Sequence, residues 1–374
     1  MSSSRPVGTE GVWRIDLDSR RPGTWWWWFW LFFFDNPKDP QKPRQLMILW
    51  STKDDRRIQC NSLDIVLPED PIKIEGKRAT LDGAVAAWYF DGEKMHDDFV
   101  LERCDVVLDE AGKTLKSVPH ERTGNETGFY EKNGKFVTRI KTADGQEFEF
   151  ESSLLKGNEM GVPVQSTRQY LGGKFDYKIL RIQRMDLKAR VKAGKRAETA
   201  AGTAYFQKVM VNAPVAPWFW GILHFGDGSA LQYFNPHVGM AALENNPFSG
   251  MVRLDRARKS LTKDITFYDA SGKQTTHFKD VKIRAERRGG LPAWRISGKN
   301  GGAEIEFVVD AYAHSCWTFR KKIGGVLPVR SRLDYNEYPC RCSFFELRKN
   351  GKKKTLADIG GGVGNAEYAW GFLI

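Results

Sequence analysis

Cysteine is scarce in this chain, and none of the spacings that make cysteine informative is present. There are five Cys in 374 residues, an odd number whose closest spacing is Cys340-Arg341-Cys342. A disulfide framework is therefore not expected, and a reducing, cytoplasmic setting fits better. Histidine is nearly as rare, at six. With no His-Glu-x-x-His and no paired Cys-x-x-Cys, no metal site is expected. Gly-x-Ser-x-Gly and the P-loop are also missing. Gly360-Gly361-Gly362 and Gly364 open no helix, so neither a nucleotide loop nor any other cofactor is expected. No apolar run approaches the roughly 20 residues of a bilayer-spanning helix, and no targeting segment is read. Nor does any long segment keep a 3.6-residue period. The best helical candidate, Arg184 to Ala201, reads equally as a strand running into a linker.

Acidic residues are outnumbered, 46 against 58 Lys and Arg, for a formal charge of +12. Such an excess raises on-rates for anionic partners. The basic residues are scattered, however, and the densest places, Lys174–Arg196 and Arg348–Lys354, read as solvated strand faces and a hairpin tip. No nucleic-acid partner is expected. Weak association with a membrane surface fits the charge, but no amphipathic helix marks it.

Aromatic residues are what the chain has in concentration. The run Trp25-Trp26-Trp27-Trp28-Phe29-Trp30-Leu31-Phe32-Phe33-Phe34 returns in altered form as Trp218-Phe219-Trp220-Gly221-Ile222-Leu223-His224-Phe225. Two copies half a chain apart point to two related units rather than to a solenoid. The first run is bounded by Gly23 and Pro37, and aromatics favour strands, so one long strand is expected. Both of its faces are apolar. It must be covered on both sides, with one face able to line a cavity and the other packed on the second unit.

Turn dipeptides punctuate the rest: Asp91-Gly92, Asn133-Gly134, Asp144-Gly145, Asp227-Gly228, Asn300-Gly301 and Asn350-Gly351. Between them lie period-two stretches such as Phe136 to Thr142 and Phe148 to Glu151. Together these predict an all-β protein of antiparallel barrels or sandwiches. The expected units are residues 1–199 and 200–374, with the boundary near Ala200-Ala201-Gly202.

The second aromatic hairpin is the most informative constellation. If Asp227-Gly228 is a two-residue turn, His224 faces Leu231, Ile222 faces Tyr233, Trp220 faces Asn235 and Trp218 faces His237. One sheet face would then carry Trp218, Trp220, Ile222, His224, Tyr233, Asn235 and His237, and the other Phe219, Gly221, Leu223, Phe225 and Phe234. Large aromatic area with a few polar tips suits a pocket for an apolar small molecule. A shared metal does not fit, because His224 and the partner of His237 lie about 20 Å apart along the strand.

From Gly202-Thr203-Ala204-Tyr205-Phe206-Gln207 through Pro217-Trp218-Phe219-Trp220 to Asp227-Gly228, the chain resembles the lipocalin-like hydroxyneurosporene synthase (carotenoid 1,2-hydratase) and AttH-type group. Trp27-Trp28-Phe29 is similar to that group's early aromatic strand. The resemblance implies two lipocalin-like β-barrels in tandem and a long apolar substrate: related architectures serve carotenoid hydration, tocopherol cyclisation and fungal polyene cyclisation. It fails at one position. The hydratases have a Tyr-x-Asp-like segment whose acid protonates the alkene, whereas this chain has Tyr205-Phe206-Gln207. An amide has no proton to give at neutral pH. Asp227 reads as a turn residue, and Asp334, Glu337 and Glu367 cannot be placed from sequence. Hydration thus requires a relocated acid.

Three functions follow. The first is an enzyme that hydrates or isomerises a carotenoid-like polyene, with aromatic faces stabilising a cation. The second is a cyclase that folds a flexible polyene without a strong acid. The third is a carrier of an apolar ligand, because a fold does not establish a function. Candidate catalytic residues are His237 and Tyr233; candidate ligand contacts are Tyr205, Gln207, Trp218, Trp220, His224, Asn235 and Trp28.

Overall fold

The computed structural model describes residues 5–372 except 7, 16, 18–19, 54–56, 156–164, 173–174, 213–216, 239–258, 261, 289 and 324–328. Nearly all of the described chain is antiparallel strand, and all six turn dipeptides join adjacent strands. Asn133-Gly134 and Asn350-Gly351 are two-residue connections with both residues at positive φ, as a hairpin turn matching strand twist requires. The helical candidate is strand: Phe175–Ala193 turns at Gly194 into Arg196–Asn212. Among the described residues, no helix is long and apolar enough to cross a membrane.

Ten strands close into a barrel. Trp25–Phe34 pairs with Arg44–Lys53 on one side and with Arg196–Asn212 on the other, and Arg196–Asn212 pairs back to Phe175–Ala193. A second sheet runs from Gln274–Phe278 through Ala230–Val238, Trp218–Phe225, Gly362–Phe372 and Val329–Lys349 to Lys282–Arg288. The hydrogen-bonded partners therefore change from one sheet to the other between Asn212 and Trp218. The division expected at 199/200 instead cuts the strand Arg196–Asn212, which closes the first barrel. The short hairpin Arg57–Cys60 and Leu63–Val66 leaves the barrel and pairs with Ser315–Ile323 of the second sheet, strapping the two together.

The two-sided apolarity of Trp25–Phe34 is used as its pattern requires. Trp26, Trp28, Trp30, Phe32 and Phe34 enter the barrel core, whereas Trp25, Phe29, Leu31 and Phe33 belong to a separate apolar cluster shared with Trp220, Ile222, Trp317, Leu333 and Tyr335. The latter cluster is the seam between the two sheets. Here the two aromatic copies meet: the ring centroids of Phe29 and Trp220 are 6.3 Å apart and perpendicular, and Phe33 meets His224 at 5.2 Å. Each large aromatic buried at such a seam contributes about 1.5–3 kcal/mol. The barrel interior is filled rather than open, with Trp30 stacked on Phe32 and Phe32 on Phe150.

Candidate active site

The turn of the second aromatic hairpin decides which side chains reach the seam. It has three residues, Gly226-Asp227-Gly228: the Phe225 N–H donates to the Ser229 carbonyl at 2.9 Å, and Gly228 sits at φ 94°. That geometry favours glycine. The register is therefore one residue off the expected one, with Trp218 opposite Pro236, Trp220 opposite Phe234, Ile222 opposite Gln232 and His224 opposite Ala230. A slip of one residue moves every partner to the other face. Trp218, Trp220, Ile222 and His224 do share a face, as expected. Tyr233, Asn235 and His237 do not join them.

Tyr233 instead enters the core of the second sheet. Its ring lies across Gly221, where any Cβ would approach it to 2.4 Å. His237 stacks on Phe219 at 5.4 Å, and Asn235 is buried on the same side. Trp28 lies in the barrel core, its indole N–H donating to the Val12 carbonyl at 3.0 Å. The expected open cavity on the Trp218–His224 face is closed by packing. Trp220, Ile222 and His224 are buried against Phe29, Phe33 and Tyr205.

His224 bridges the sheets. Its Nδ1 accepts from the Thr203 hydroxyl at 2.7 Å while its Nε2–H donates to the Gln183 carbonyl at 2.7 Å. Burial, and then the Arg184 charge, push its pKa down to about 3, so the ring is neutral. Tyr205 sits between Phe29 and Trp220, 5.3 Å from the latter, and donates to Gln207 Oε1 at 2.9 Å. Gln207 thus faces the seam as an acceptor.

Two buried carboxyls stand on the opposite wall of the seam from Gln207. Glu337 and Glu367 are direct cross-strand partners on Val329–Lys349 and Gly362–Phe372, and Trp220 is the next residue in the same row. Residues in register share a sheet face, so both carboxyls point with Trp220 toward the barrel. They are 1% and 4% exposed. Trp218 donates its indole N–H to Glu367 Oε2 at 2.7 Å, and the Tyr335 hydroxyl donates to Glu367 Oε1 at 2.7 Å. Asn365 donates Nδ2–H to Glu337 Oε2, leaving Glu337 Oε1 without a partner. Among the described residues neither carboxyl makes an ion pair.

Burial therefore acts on both acids with no cation to offset it. It pushes Glu367 up to about 7, restrained by its two donors. Glu337 is pushed well above the carboxylate range by burial and by the charge of Glu367. Two carboxyls so close cannot both ionise cheaply. The donors favour charge on Glu367 and leave the proton on Glu337. The third acid, Asp334, is excluded: it pairs with Arg332 at 2.9 Å and accepts from Thr318.

Rings crowd the pair. Tyr335 meets Trp218 at 5.5 Å and Trp317 at 6.2 Å. Further along the seam, beneath the hairpin Arg57–Val66, an apolar crevice of about 40 Å³ is lined by Trp25, Leu49, Ile58, Ile65, Leu67 and Phe319 among others. Phe319 shares a face with Ser315, the residue opposite Glu337, four residues or roughly 13 Å away. The group with metal-ligand spacing found among the described residues, Asp82, Asp105 and His120, is elsewhere. There Arg103 pairs with Asp82 at 2.7 Å.

Sequence reasoning did not identify Tyr335 or Asn365, which bond the two carboxyls. A signal existed for the acids: each is a carboxylate at an inward position of an otherwise apolar alternation, Leu333-Tyr335-Glu337 and Glu367-Ala369.

No family profile matches the chain, and no curated protein matches it in sequence. Three solved structures align over most of it. A protein assigned as AttH from Nitrosomonas europaea has 15% identity and a TM-score of 0.48, over 94% of both chains. Kievitone hydratase from Nectria haematococca has 10% identity and a TM-score of 0.43, over 98% of this chain and 96% of its own. CghA with Sch210972 has 7% identity and a TM-score of 0.42, over 94% of this chain and 89% of its own.

Proposed function

We propose that the chain is an enzyme that protonates a carbon–carbon double bond of an apolar, isoprenoid-type ligand at the seam. The observation that carries this reading is the buried Glu337–Glu367 pair beneath Trp218, Trp220 and Tyr335. An alkene is a weak base, so its protonation needs a carboxylic acid that keeps its proton at neutral pH and a place for the resulting cation. Glu337 gives its proton to the terminal alkene carbon; the π bond breaks as the C–H bond forms. The cation then faces the rings of Trp218, Trp220 and Tyr335, whose quadrupoles attract positive charge. The pair recovers its proton from a carbon beside the cation, giving an isomer, or from water that captures it, giving an alcohol. Gln207 orients the ligand and donates no proton.

The apolar crevice beneath the hairpin Arg57–Val66 supports a hydrocarbon ligand. Its apolar walls accept a hydrocarbon tail while the reacting end lies at Glu337, and the ligand passes under the hairpin Arg57–Val66. Carotenoid-like polyenes are the proposed ligands, and admitting one requires the hairpin Arg57–Val66 to move away from the crevice of about 40 Å³.

The test is mass spectrometry of products after incubation with acyclic carotenoids and other polyprenoids. A product heavier by one water, or an isomer of unchanged mass, is expected from the wild type and not from Glu337→Gln. A ligand retained but never altered contradicts the reading in favour of a carrier. Product formed equally well by Glu337→Gln leaves a cyclase that works by shape.

A further inference from the structure

The hairpin Arg57–Val66 over the crevice has two unlike faces. Ile58, Cys60, Ile65 and, just past its end, Leu67 are buried and line the crevice, whereas Arg57, Asp64 and Val66 are exposed. Arg57 Nε–H donates to Asp64 Oδ1 across the outer face at 3.0 Å. A two-stranded hairpin is marginally stable by itself, so its hold on the rest of the chain decides how often it lies flat. Among the described residues its ladder to the second sheet is two residue pairs long, Cys60 with Phe319 and Gln59 with Arg320.

Beyond that short ladder, one residue at the tip makes three further bonds. The Asn61 backbone N–H donates to the Thr318 carbonyl at 3.0 Å, and Asn61 Oδ1 accepts from the Thr318 N–H at 2.8 Å. Asn61 Nδ2–H donates to Asp98 Oδ1, on a barrel strand, at 2.9 Å. The side chain therefore grips the second sheet through its oxygen and the barrel through its nitrogen. It does so from φ 48°, a left-handed conformation that Asn adopts more readily than most residues. The bond to Asp98 is exposed, at the rim of a polar groove of about 540 Å³ lined by Ser62, Asp97, Asp98 and Asn125 among others. Water competes for such a bond, and exposed bonds of this kind open locally.

Resting on the reading that a hydrocarbon ligand enters beneath this hairpin, we propose that the hairpin is a lid that opens from its tip and that Asn61 is the clasp holding it shut. Release of the clasp and of the two-pair ladder frees the tip from both sheets, while the chain stays anchored where Leu67 is buried. Opening uncovers the apolar underside of Ile58, Cys60 and Ile65. A hydrocarbon chain in the crevice covers that underside again and draws the lid back over itself. Asn61 is thus a positioning residue: it sets how often the crevice is open and touches no reacting atom.

Cys60 reports opening without any substrate. Its thiol is 3% exposed beneath the lid, whereas Cys104 and Cys340 are fully buried in the cores of the barrel and the second sheet. Thiol labelling of the wild type under native conditions, mapped by mass spectrometry, is expected to reach Cys60 at least about tenfold faster than Cys104 and Cys340, which await wider unfolding. Asn61→Gly tolerates the same φ and removes both side-chain bonds. It is expected to speed Cys60 labelling about tenfold with Cys104 and Cys340 unchanged. Diphenylhexatriene, an apolar fluorescent polyene, is expected to associate faster with Asn61→Gly in stopped flow and to protect Cys60 once bound. Cys60 labelled no faster than Cys104 and Cys340, or sped in Asn61→Gly only together with them, overturns the lid. Equal association rates of diphenylhexatriene with the two proteins do so too. Early labelling of Cys60 in a wild type that transforms no polyene supports the lid and contradicts the proton-donor reading.

Discussion

Glu337 and Glu367 face each other across adjacent antiparallel strands at the seam, with the Tyr335 hydroxyl donating to Glu367 Oε1 at 2.7 Å. The pair is expected to leave a mark on stability. Both folded pKa values lie above the unfolded ones, near 4.5, with Glu367 at about 7. Its contribution is therefore full below the unfolded value and is lost as pH rises through the folded one. Glu337→Gln cannot ionise. Thermal midpoints measured from acid to mildly alkaline pH should show this variant gaining on wild type as pH rises; parallel curves contradict the raised values.

Trp218 tunes the same pair from its edge. Trp218→Phe keeps a ring but removes the indole donor to Glu367 Oε2, and a hydrogen bond to a charged acceptor is worth about 1.5–3 kcal/mol. Glu367 then titrates about one unit higher or more. The alkaline limb of the pH–rate profile, where the pair loses its protons, should shift upward; an unmoved limb detaches Glu367 from the reaction.

His224 titrates in the opposite sense. Its folded pKa, about 3, lies below the ordinary imidazole value of 6.5, so the unfolded chain binds more protons between them and stability falls as pH falls through that window. His224→Leu leaves Thr203 Oγ1 and the Gln183 carbonyl unpaired and is expected to cost about 2–4 kcal/mol at neutral pH. Its disadvantage should shrink on acidification, as read by denaturant midpoints at each pH. A disadvantage constant with pH contradicts a neutral His224.

Phe319 narrows the crevice beneath the hairpin. Phe319→Trp adds volume there without touching Glu337. Steady-state kinetics on polyenes of increasing length should show KM rising several-fold for the longest chains with kcat preserved. An equal effect on short and long ligands places the tail elsewhere.

Trp28 belongs to the barrel core. Trp28→Ala is expected to destabilise the fold by about 3–5 kcal/mol, as large-to-small aromatic changes do, while ligand affinity of the folded fraction is unchanged. Calorimetry and ligand titration on one preparation check both halves.

Much of this architecture was legible beforehand. The two-faced apolarity of Trp25–Phe34 already required cover on both sides, and the Trp218–Phe225 copy proved to be what covers one of them. The turn dipeptides marked the connections correctly. The site was harder to read. Asp227-Gly228 resembles a two-residue turn, but Gly226 joins it, and the one-residue difference sends Tyr233, Asn235 and His237 away from Trp220. No local pattern places Glu337 opposite Glu367 or brings Gln45 from the barrel to Gly364, because such contacts depend on strand register and on how the two sheets pack.

Protonation of an alkene at the seam requires this carboxyl pair to keep a proton at neutral pH, and infrared spectroscopy of the carboxyl C=O stretch tests that without any substrate. A protonated-carboxyl band should persist at neutral pH in the wild type, shift on deuteration, and disappear in the Glu337→Gln, Glu367→Gln double variant. If the wild type shows no such band, both groups are ionised and the seam holds no acid able to protonate an alkene.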